Sequence, residues 1–330
     1  MELICPPGAE RLELKHIRQT FRGAGHGQAW EQLQLPWFAA GRPLLCLCNL
    51  APIAYGHRMV VIHDAAVFDA PAGYSRMFTA WYRLAQRALA ATRAHIVTVS
   101  QFSQGRLALA LRVPPSEIDV VSCAADHVTR MHPDLSLVDR LGLRGKPYVL
   151  AIGSLHPNKN IATLETVMMD RRLAHLQLVV AGGKDHPNVF RSTPGEGGVP
   201  NVHYTGHATD GQLIGLLQHA TLFVFPSRYE GFGLPPLEAM RVGCPVLASN
   251  AASIPEACGS NCAAYFDPDD GEQLASAIAA LTADDAERSR LVVAGHRRAD
   301  PTRWSTQAAI LLDSIRTRFS LPMAQRPSPT

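Results

Sequence analysis

This 330-residue chain has little that points to a membrane, a metal or a nucleic acid. No apolar run approaches the roughly 20 residues of a spanning helix. Glu2 and Pro6-Pro7 interrupt the N-terminus where the apolar core of a signal peptide would sit. The expectation is a cytoplasmic protein, soluble or at most peripheral to the inner face of the membrane. Seven cysteines form an odd set without metal spacing. Cys46 and Cys48 lie in an apolar run, Cys258 and Cys262 bracket a Gly-Ser-Asn turn, and neither pair is C-x-x-C. They read as buried or incidental thiols of a reducing compartment. Lysine is scarce, with Lys15, Lys146, Lys159 and Lys184 the only four among 31 basic residues. The formal net charge of +3 is too small to argue for a nucleic-acid partner.

Signature motifs are missing as well. No G-x-G-x-x-G follows a predicted strand, and there is neither a G-x-x-x-x-G-K-[ST] loop nor a G-x-S-x-G elbow. These absences count against dinucleotide oxidoreductases, P-loop NTPases and α/β-hydrolases. Asp267-Pro-Asp269 falls late, in a turn read as remote from the other motifs, so no Asp-x-Asp pair is assigned to a metal-chelated diphosphate. Neither a metal nor a cofactor is expected.

What is present alternates. Continuous apolar runs at 43–48 and 59–63 suit strands of a parallel sheet buried on both faces, and 96–99 and 119–122 read as two further short strands. Helical spacing covers 74–93 and 102–112, with Ser100 placed to cap the second of these. A short helix from Trp30 should stop near Pro36, and 20–27 reads as loop. A polar stretch at 132–147 reads as a linker. The alternation then restarts with strands at 148–153, 176–181, 202–205, 221–225, 245–248 and 263–266. Helices are expected to start at Asn160 as a cap, and at 210–219, 235–241, 271–282, 284–298 and 303–318. A Gly/Pro-rich loop runs from 182 to 200, and the tail from 321 should fray. The prediction is two α/β domains, 1–143 and 144–302, with 303–330 a C-terminal helix and tail that packs back on the first.

The chain is organised around Phe225-Pro-Ser-Arg-Tyr-Glu-Gly-Phe-Gly-Leu-Pro-Pro-Leu-Glu-Ala-Met240, a strand, a loop and a helix. Gly231 and Gly233 let backbone approach a ligand, and the helix start offers unpaired N–H groups to an anion. Glu230 sits in the loop and Glu238 in what reads as the first helical turn, where an acid also serves the helix macrodipole. Carboxylates beside anion-seeking N–H groups suit a ligand that is phosphate at one end and hydroxyls at the other, such as a nucleotide sugar. The loop Gly153-Ser-Leu-His-Pro-Asn-Lys-Asn160 puts Lys159 before another helix, a diphosphate contact or plain solvated surface.

The Phe225–Met240 string resembles the E-x-x-x-x-x-x-x-E segment of retaining glycosyltransferases of the GT-B fold, in particular glycosyltransferase family 4. Glu230 and Glu238 match its glutamates, with Gly231, Phe232, Gly233 and Leu234 between them as that family usually has it. Lys159 matches the lysine of the family's G-x-x-x-x-x-K-N loop, which opens at Gly153. Ser154 stands where the family often has an arginine, with His156 and Arg228 as nearby replacements. His63-Asp64 matches the "HD" that ends a strand of the first domain, and Ser100-Gln-Phe-Ser103 resembles a further segment most simply read as an N-cap.

Across roughly 43–318 the resemblance implies two Rossmann-like domains facing across a cleft. It implies a nucleotide-diphosphate sugar as donor, a glycan or lipid-linked acceptor, and transfer with retention and no metal. His63 and Glu230 would face the reacting sugar. Gly153, Ser154, Lys159, Gly231, Phe232, Gly233, Leu234 and Glu238 would hold the donor, Glu238 at the ribose. Wording of the first half resembles bacterial transferases that build surface polysaccharides, often from GDP-mannose, and a peripheral membrane contact would follow. Family members usually begin with a strand, a glycine-rich loop and a helix ahead of the matched region. Either the first domain is shortened here, or Gly23-Ala-Gly25 replaces that loop. The rival reading is a GT-B-like protein that binds nucleotide or a partner enzyme without catalysing transfer.

Overall fold

The apolar runs become the strands of two parallel sheets in the computed structural model, which describes residues 1–182 and 201–321. The Gly/Pro-rich loop expected after Gly182 and the tail expected after Leu321 lie outside the described residues. In the first half, β1 (Glu2–Cys5) and β2 (Arg18–Phe21) pair in parallel on their own. Then come α1 (Gly27–Leu33), α2 (Leu35–Ala39), β3 (Leu44–Cys46), β4 (Arg58–Val61), α3 (Ala66–Asp69), α4 (Arg76–Ala91), β5 (His95–Thr98), α5 (Gln101–Leu111) and β6 (Ile118–Val120). Strands β3-β4-β5-β6 form the first parallel sheet in that order.

The second half holds α6 (Ser136–Arg140), β7 (Tyr148–Ile152), α7 (Ile161–Val167), β8 (Gln177–Ala181), β9 (Val202–Gly206), α8 (Asp210–His219) and β10 (Leu222–Phe225). It continues with α9 (Leu234–Arg241), β11 (Val246–Ser249), α10 (Ile254–Cys258), β12 (Ala264–Phe266), α11 (Gly271–Ala283), α12 (Asp285–Ala299) and α13 (Trp304–Phe319). Its sheet runs β12-β11-β10-β7-β8-β9, all parallel. The strand order reverses between β10 and β7. In such a sheet the crevice for a ligand opens at that switch point, beyond the carboxyl ends of the strands.

Tyr148, Phe223 and Phe225 are wholly buried, each burial stabilising by about 1.5–3 kcal/mol. One apolar cluster joins the halves, containing Val61 and Val99 from the first and Phe232 and Leu237 from the second. Helix α13 returns to the first half, where Arg318 donates to Asp119 at 2.6 Å and Phe319 meets the His95 ring edge-on. No described helix is long and apolar enough to cross a membrane.

Local expectations needed correction where side chains had other partners. The stretch 132–147 is no free linker, because it contains α6, and Asp134 N–H donates to Gly211 O at 2.8 Å. Residues 20–21 close β2, and Gly27 opens α1. The helix through Trp30 does stop near Pro36, at Leu33, and Pro36 then lies in the first turn of a second helix, α2, where it needs no N–H partner. Asn160 stands at the cap position of α7 in left-handed conformation, yet its side chain makes no cap. Its amide instead donates to Pro268 O at 2.9 Å and accepts from Thr163 at 2.7 Å. Glu238 is not in a first turn either. Gly233, at φ +109°, starts α9 at Leu234, which makes Glu238 its fifth residue.

Candidate active site

The switch point collects the loops that follow β7 and β10. Lys159, from the first, donates to Glu230 Oε1, from the second, at 2.7 Å. Both side chains are partly buried, at 29% and 15% exposure, so each charge depends on the other for much of its solvation. Gly182 packs directly on this loop, where a Cβ would stand only 2.7 Å from Gly153 O, whereas one on Gly153 would be in ordinary contact with Lys159 Cγ at 3.4 Å. Ser154 is exposed, and its hydroxyl accepts from His156 N–H at 3.4 Å. Arg228 does not replace a missing cation: its guanidinium is held by Asp269 at 2.8 Å and by Asn160. The Asp267–Asp269 turn therefore packs beside this loop rather than remote from it, because β12 ends on the same edge of the sheet.

The Glu230 loop is clasped from both halves. Gly231 O accepts from Ser100 Oγ at 2.6 Å and from Ser103 Oγ at 2.9 Å, and both serines are wholly buried. A Cβ on Gly231 would lie 2.5 Å from His63 O, so only glycine lets the loop touch the end of β4. Ser253 Oγ donates to Glu230 O and Phe232 O at 2.8 and 2.9 Å. Phe232 itself is buried in the shared core and does not line the site. Leu234 is the first residue of α9 and is partly buried against that core.

His63 lies two residues past the end of β4, with the ring Nε2–H donated to Leu47 O at 2.8 Å. Its backbone N–H is held by Asn49 Oδ1 at 2.8 Å. Asp64 caps Ala66 at 2.7 Å. Burial raises the Asp64 carboxyl above its ordinary value and Glu230 adds to this, while the Ala66 N–H, His63 and Lys159 oppose it. His63, Asp64, Glu230, Gly231 and Lys159 are thus one neighbourhood drawn from both halves.

Glu238 stands apart, paired with His127 Nε2 at 2.9 Å. Trp304 Nε1–H donates to His127 Nδ1 at 3.1 Å, which assigns the other ring proton to the carboxylate. Burial raises Glu238 above the usual glutamate range, and His127 counteracts it.

Further contacts close the halves on each other. Glu256 accepts from Gln101 and Phe102 N–H at 2.8 and 3.0 Å, capping α5 from the opposite half. Tyr229 O–H donates to Asp69 at 2.9 Å, and Arg106 grips the same carboxylate at 2.8 and 2.7 Å. Sequence reasoning missed His127, Tyr229, Ser253 and Glu256. The segment Ser100-Gln-Phe-Ser103 was singled out, with a cap as its simplest reading, and Ser100 does accept from Ser103 N–H at 3.0 Å.

The sequence profile described as "Glycosyl transferases group 1" matches residues 138–298. This segment, just under half of the chain, matches the group 1 glycosyl transferases. The O-antigen chain mannosyltransferase B of Escherichia coli is 28% identical over 74% of this chain and 66% of its own length. A serotype-specific mannosyltransferase WbdA of the same organism is 31% identical, but this chain spans only 24% of it. A GDP-mannose-dependent alpha-(1-6)-phosphatidylinositol monomannoside mannosyltransferase of Mycobacterium tuberculosis is 28% identical, over 87% of this chain and 77% of that protein. Among solved structures, sucrose-phosphate synthase of Thermosynechococcus elongatus superposes with a TM-score of 0.73 at 20% identity, covering 97% of this chain and 89% of that one. WaaG, a glycosyltransferase involved in lipopolysaccharide biosynthesis, gives 0.70 at 16% identity over 93% and 88%. The fold of this chain is GT-B.

Proposed function

We propose that this chain moves a hexose, with retention of configuration, from a nucleoside-diphosphate sugar to a glycan or lipid-linked acceptor of surface polysaccharide synthesis. GDP-mannose is the first donor to try, on the printed activities of the relatives above. The observation that carries the reading is the Lys159–Glu230 pair at the switch point of the second sheet, with the end of β4 seated on Gly231. A diphosphate entering there meets the Lys159 ammonium, and Glu238 is assigned to the ribose hydroxyls. Residues 144–302 take the donor, and 1–143 present the acceptor from the cytoplasmic side, at the membrane where the acceptor is lipid-linked.

In the proposed step the bond from the sugar C1 to the diphosphate oxygen breaks, and its electron pair leaves with the nucleoside diphosphate. The acceptor hydroxyl oxygen bonds to C1 on the same face, and its proton passes to the departing phosphate oxygen. The protein stabilises the negative charge that develops on the leaving group. Lys159 is assigned that task, and His63 and Glu230 flank the sugar.

The test is calorimetric titration of GDP-mannose, UDP-glucose and dTDP-glucose, followed by transfer from labelled donor to membrane glycolipid. Selective binding and labelled product are expected. Donor binding without hydrolysis or transfer would replace this reading by that of a nucleotide-binding protein.

A further inference from the structure

The loop that carries Lys159 is built on one residue. His156 begins the tight turn Pro157–Lys159, and its backbone and ring both hold that turn. Its carbonyl accepts Lys159 N–H at 2.8 Å, and its ring Nδ1 accepts Asn158 N–H at 3.2 Å. Asn158 O in turn accepts Arg228 N–H at 2.8 Å, two residues ahead of Glu230. The shape of this turn therefore sets where Lys159 and Glu230 meet.

The same ring is what the first half touches. A second tight turn, Pro71–Gly73, packs against the Pro157–Lys159 turn. A Cβ on Gly73 would lie 1.9 Å from His156 Nε2, 2.1 Å from Cε1 and 2.7 Å from Cδ2. The far edge of the imidazole thus fills the place where a side chain would stand. Gly73 is outside the left-handed region, so space and not backbone conformation is what requires glycine there. Tyr74 flanks the ring, with centroids 5.1 Å apart. With Nδ1 engaged as an acceptor, the neutral imidazole carries its proton on Nε2. That atom is buried and has no hydrogen-bond partner among the described residues. The ring therefore meets the first half by packing alone, while Nδ1 serves the turn.

We infer that His156 is a positioning residue for the transfer. Its Nδ1 shapes the turn that presents Lys159, and its ring, seated on Gly73, aligns that turn with the first half. The two edges of one imidazole thereby do separate work, and each can be removed without the other. The assignment rests on the proposed transfer, since it gives Lys159 the leaving diphosphate.

The experiment compares His156→Ala, His156→Asn and Gly73→Ala in the full chain, with the last two also combined. Calorimetry gives the affinity for the nucleotide sugar that the wild type selects from GDP-mannose, UDP-glucose and dTDP-glucose, and for its nucleoside diphosphate. Transfer of labelled sugar to membrane glycolipid gives kcat. His156→Ala loses the acceptor for Asn158 N–H, so nucleoside-diphosphate affinity should fall about fivefold, the worth of one neutral hydrogen bond. Asparagine offers an acceptor oxygen close to the place of Nδ1 but no ring edge, so it should restore that affinity and not kcat. Both His156 variants should lower kcat by about tenfold or more, since a reacting group misplaced by roughly 1 Å can cost 10²-fold. Gly73→Ala should lower kcat as much through its clash, yet cost nothing further in the His156→Asn background, where the clashing atoms are gone. An equal loss from Gly73→Ala in both backgrounds overturns the assignment. So does wild-type kcat in folded His156→Asn, even with a lowered urea midpoint, because the ring contact would then serve stability alone. A wild-type chain that binds no nucleotide sugar, or binds one without transfer, would instead remove the proposed function itself, so the two failures are separable.

Discussion

His127 of the first half donates its Nε2–H to Glu238 Oε1 of the second at 2.9 Å, with Trp304 of α13 donating to the opposite ring nitrogen. The carboxylate assigned to the ribose is therefore oriented by a histidine whose tautomer is set by the C-terminal helix. Glu238→Gln is expected to weaken GDP-mannose binding by roughly 1.5–3 kcal/mol, the worth of a charge-assisted hydrogen bond. His127→Ala should weaken it less, by about 1 kcal/mol, because the carboxylate remains but loses its orientation. Calorimetry on both variants decides. Unchanged affinity in Glu238→Gln would reduce this pair to a structural contact.

Lys159→Ala separates phosphate from nucleoside. The affinities for GDP-mannose and GDP should fall together by roughly 1.5–3 kcal/mol, and that for guanosine should stay, since the ammonium is assigned to the diphosphate alone. An equal loss for all three ligands would show that Lys159 acts only by holding Glu230, its partner at 2.7 Å.

His63→Ala and Gly231→Ala test closure from its two sides. A Cβ on Gly231 would meet His63 O at 2.5 Å, so the alanine must push the Glu230 loop off β4. Each substitution is expected to lower turnover by about 10²-fold, on the scale of a misplaced reacting group, with donor affinity nearly unchanged. Wild-type turnover in a folded His63→Ala protein would leave His63 as an ordinary strand-end histidine.

Asp69 makes closure sensitive to acid. Burial alone would raise its carboxyl, but hydrogen bonds from Arg106 and Tyr229 outweigh that and hold it below the ordinary aspartate range. A depressed folded value means the contribution is fully present above the unfolded pKa and is lost as pH falls through the folded one. Asp69→Asn should therefore be less stable than wild type near neutrality, and the difference should shrink below about pH 4. Urea unfolding at a series of pH values measures it. A difference that does not change with pH would mean the charge on Asp69 contributes nothing.

Much of this molecule was legible along the chain. Runs such as 148–153 and 221–225 are continuously apolar because their strands are buried on both faces, and each stands where a strand was expected. The loop–helix corner around Gly231 and Gly233 was legible for the same local reason: glycine and proline restrict the backbone wherever they occur. Local signals also misled. Pro235-Pro236 marks a helix start only to within a residue or two, and Gly233 moved that start forward, so Glu238 left the first turn. Asn160 has the chemistry of a cap, but Pro268 and Thr163 claim its side chain.

What the sequence determined by itself is most of the longer strands and helices and the residue types at their ends, because periodicity and turn chemistry act between neighbours; short elements such as β2, α3, α6 and α10 escaped it. Which ends meet was decided by the tertiary structure. Ser100 and Gly231 are separated by 131 positions, and Trp304 and His127 by 177. No periodicity reaches across such distances. The Lys159 and Glu230 loops meet because the second sheet reverses its strand order between β10 and β7, and the two halves meet because buried serines on Gly231 and Glu256 on the start of α5 satisfy polar groups that closure would otherwise strand without partners.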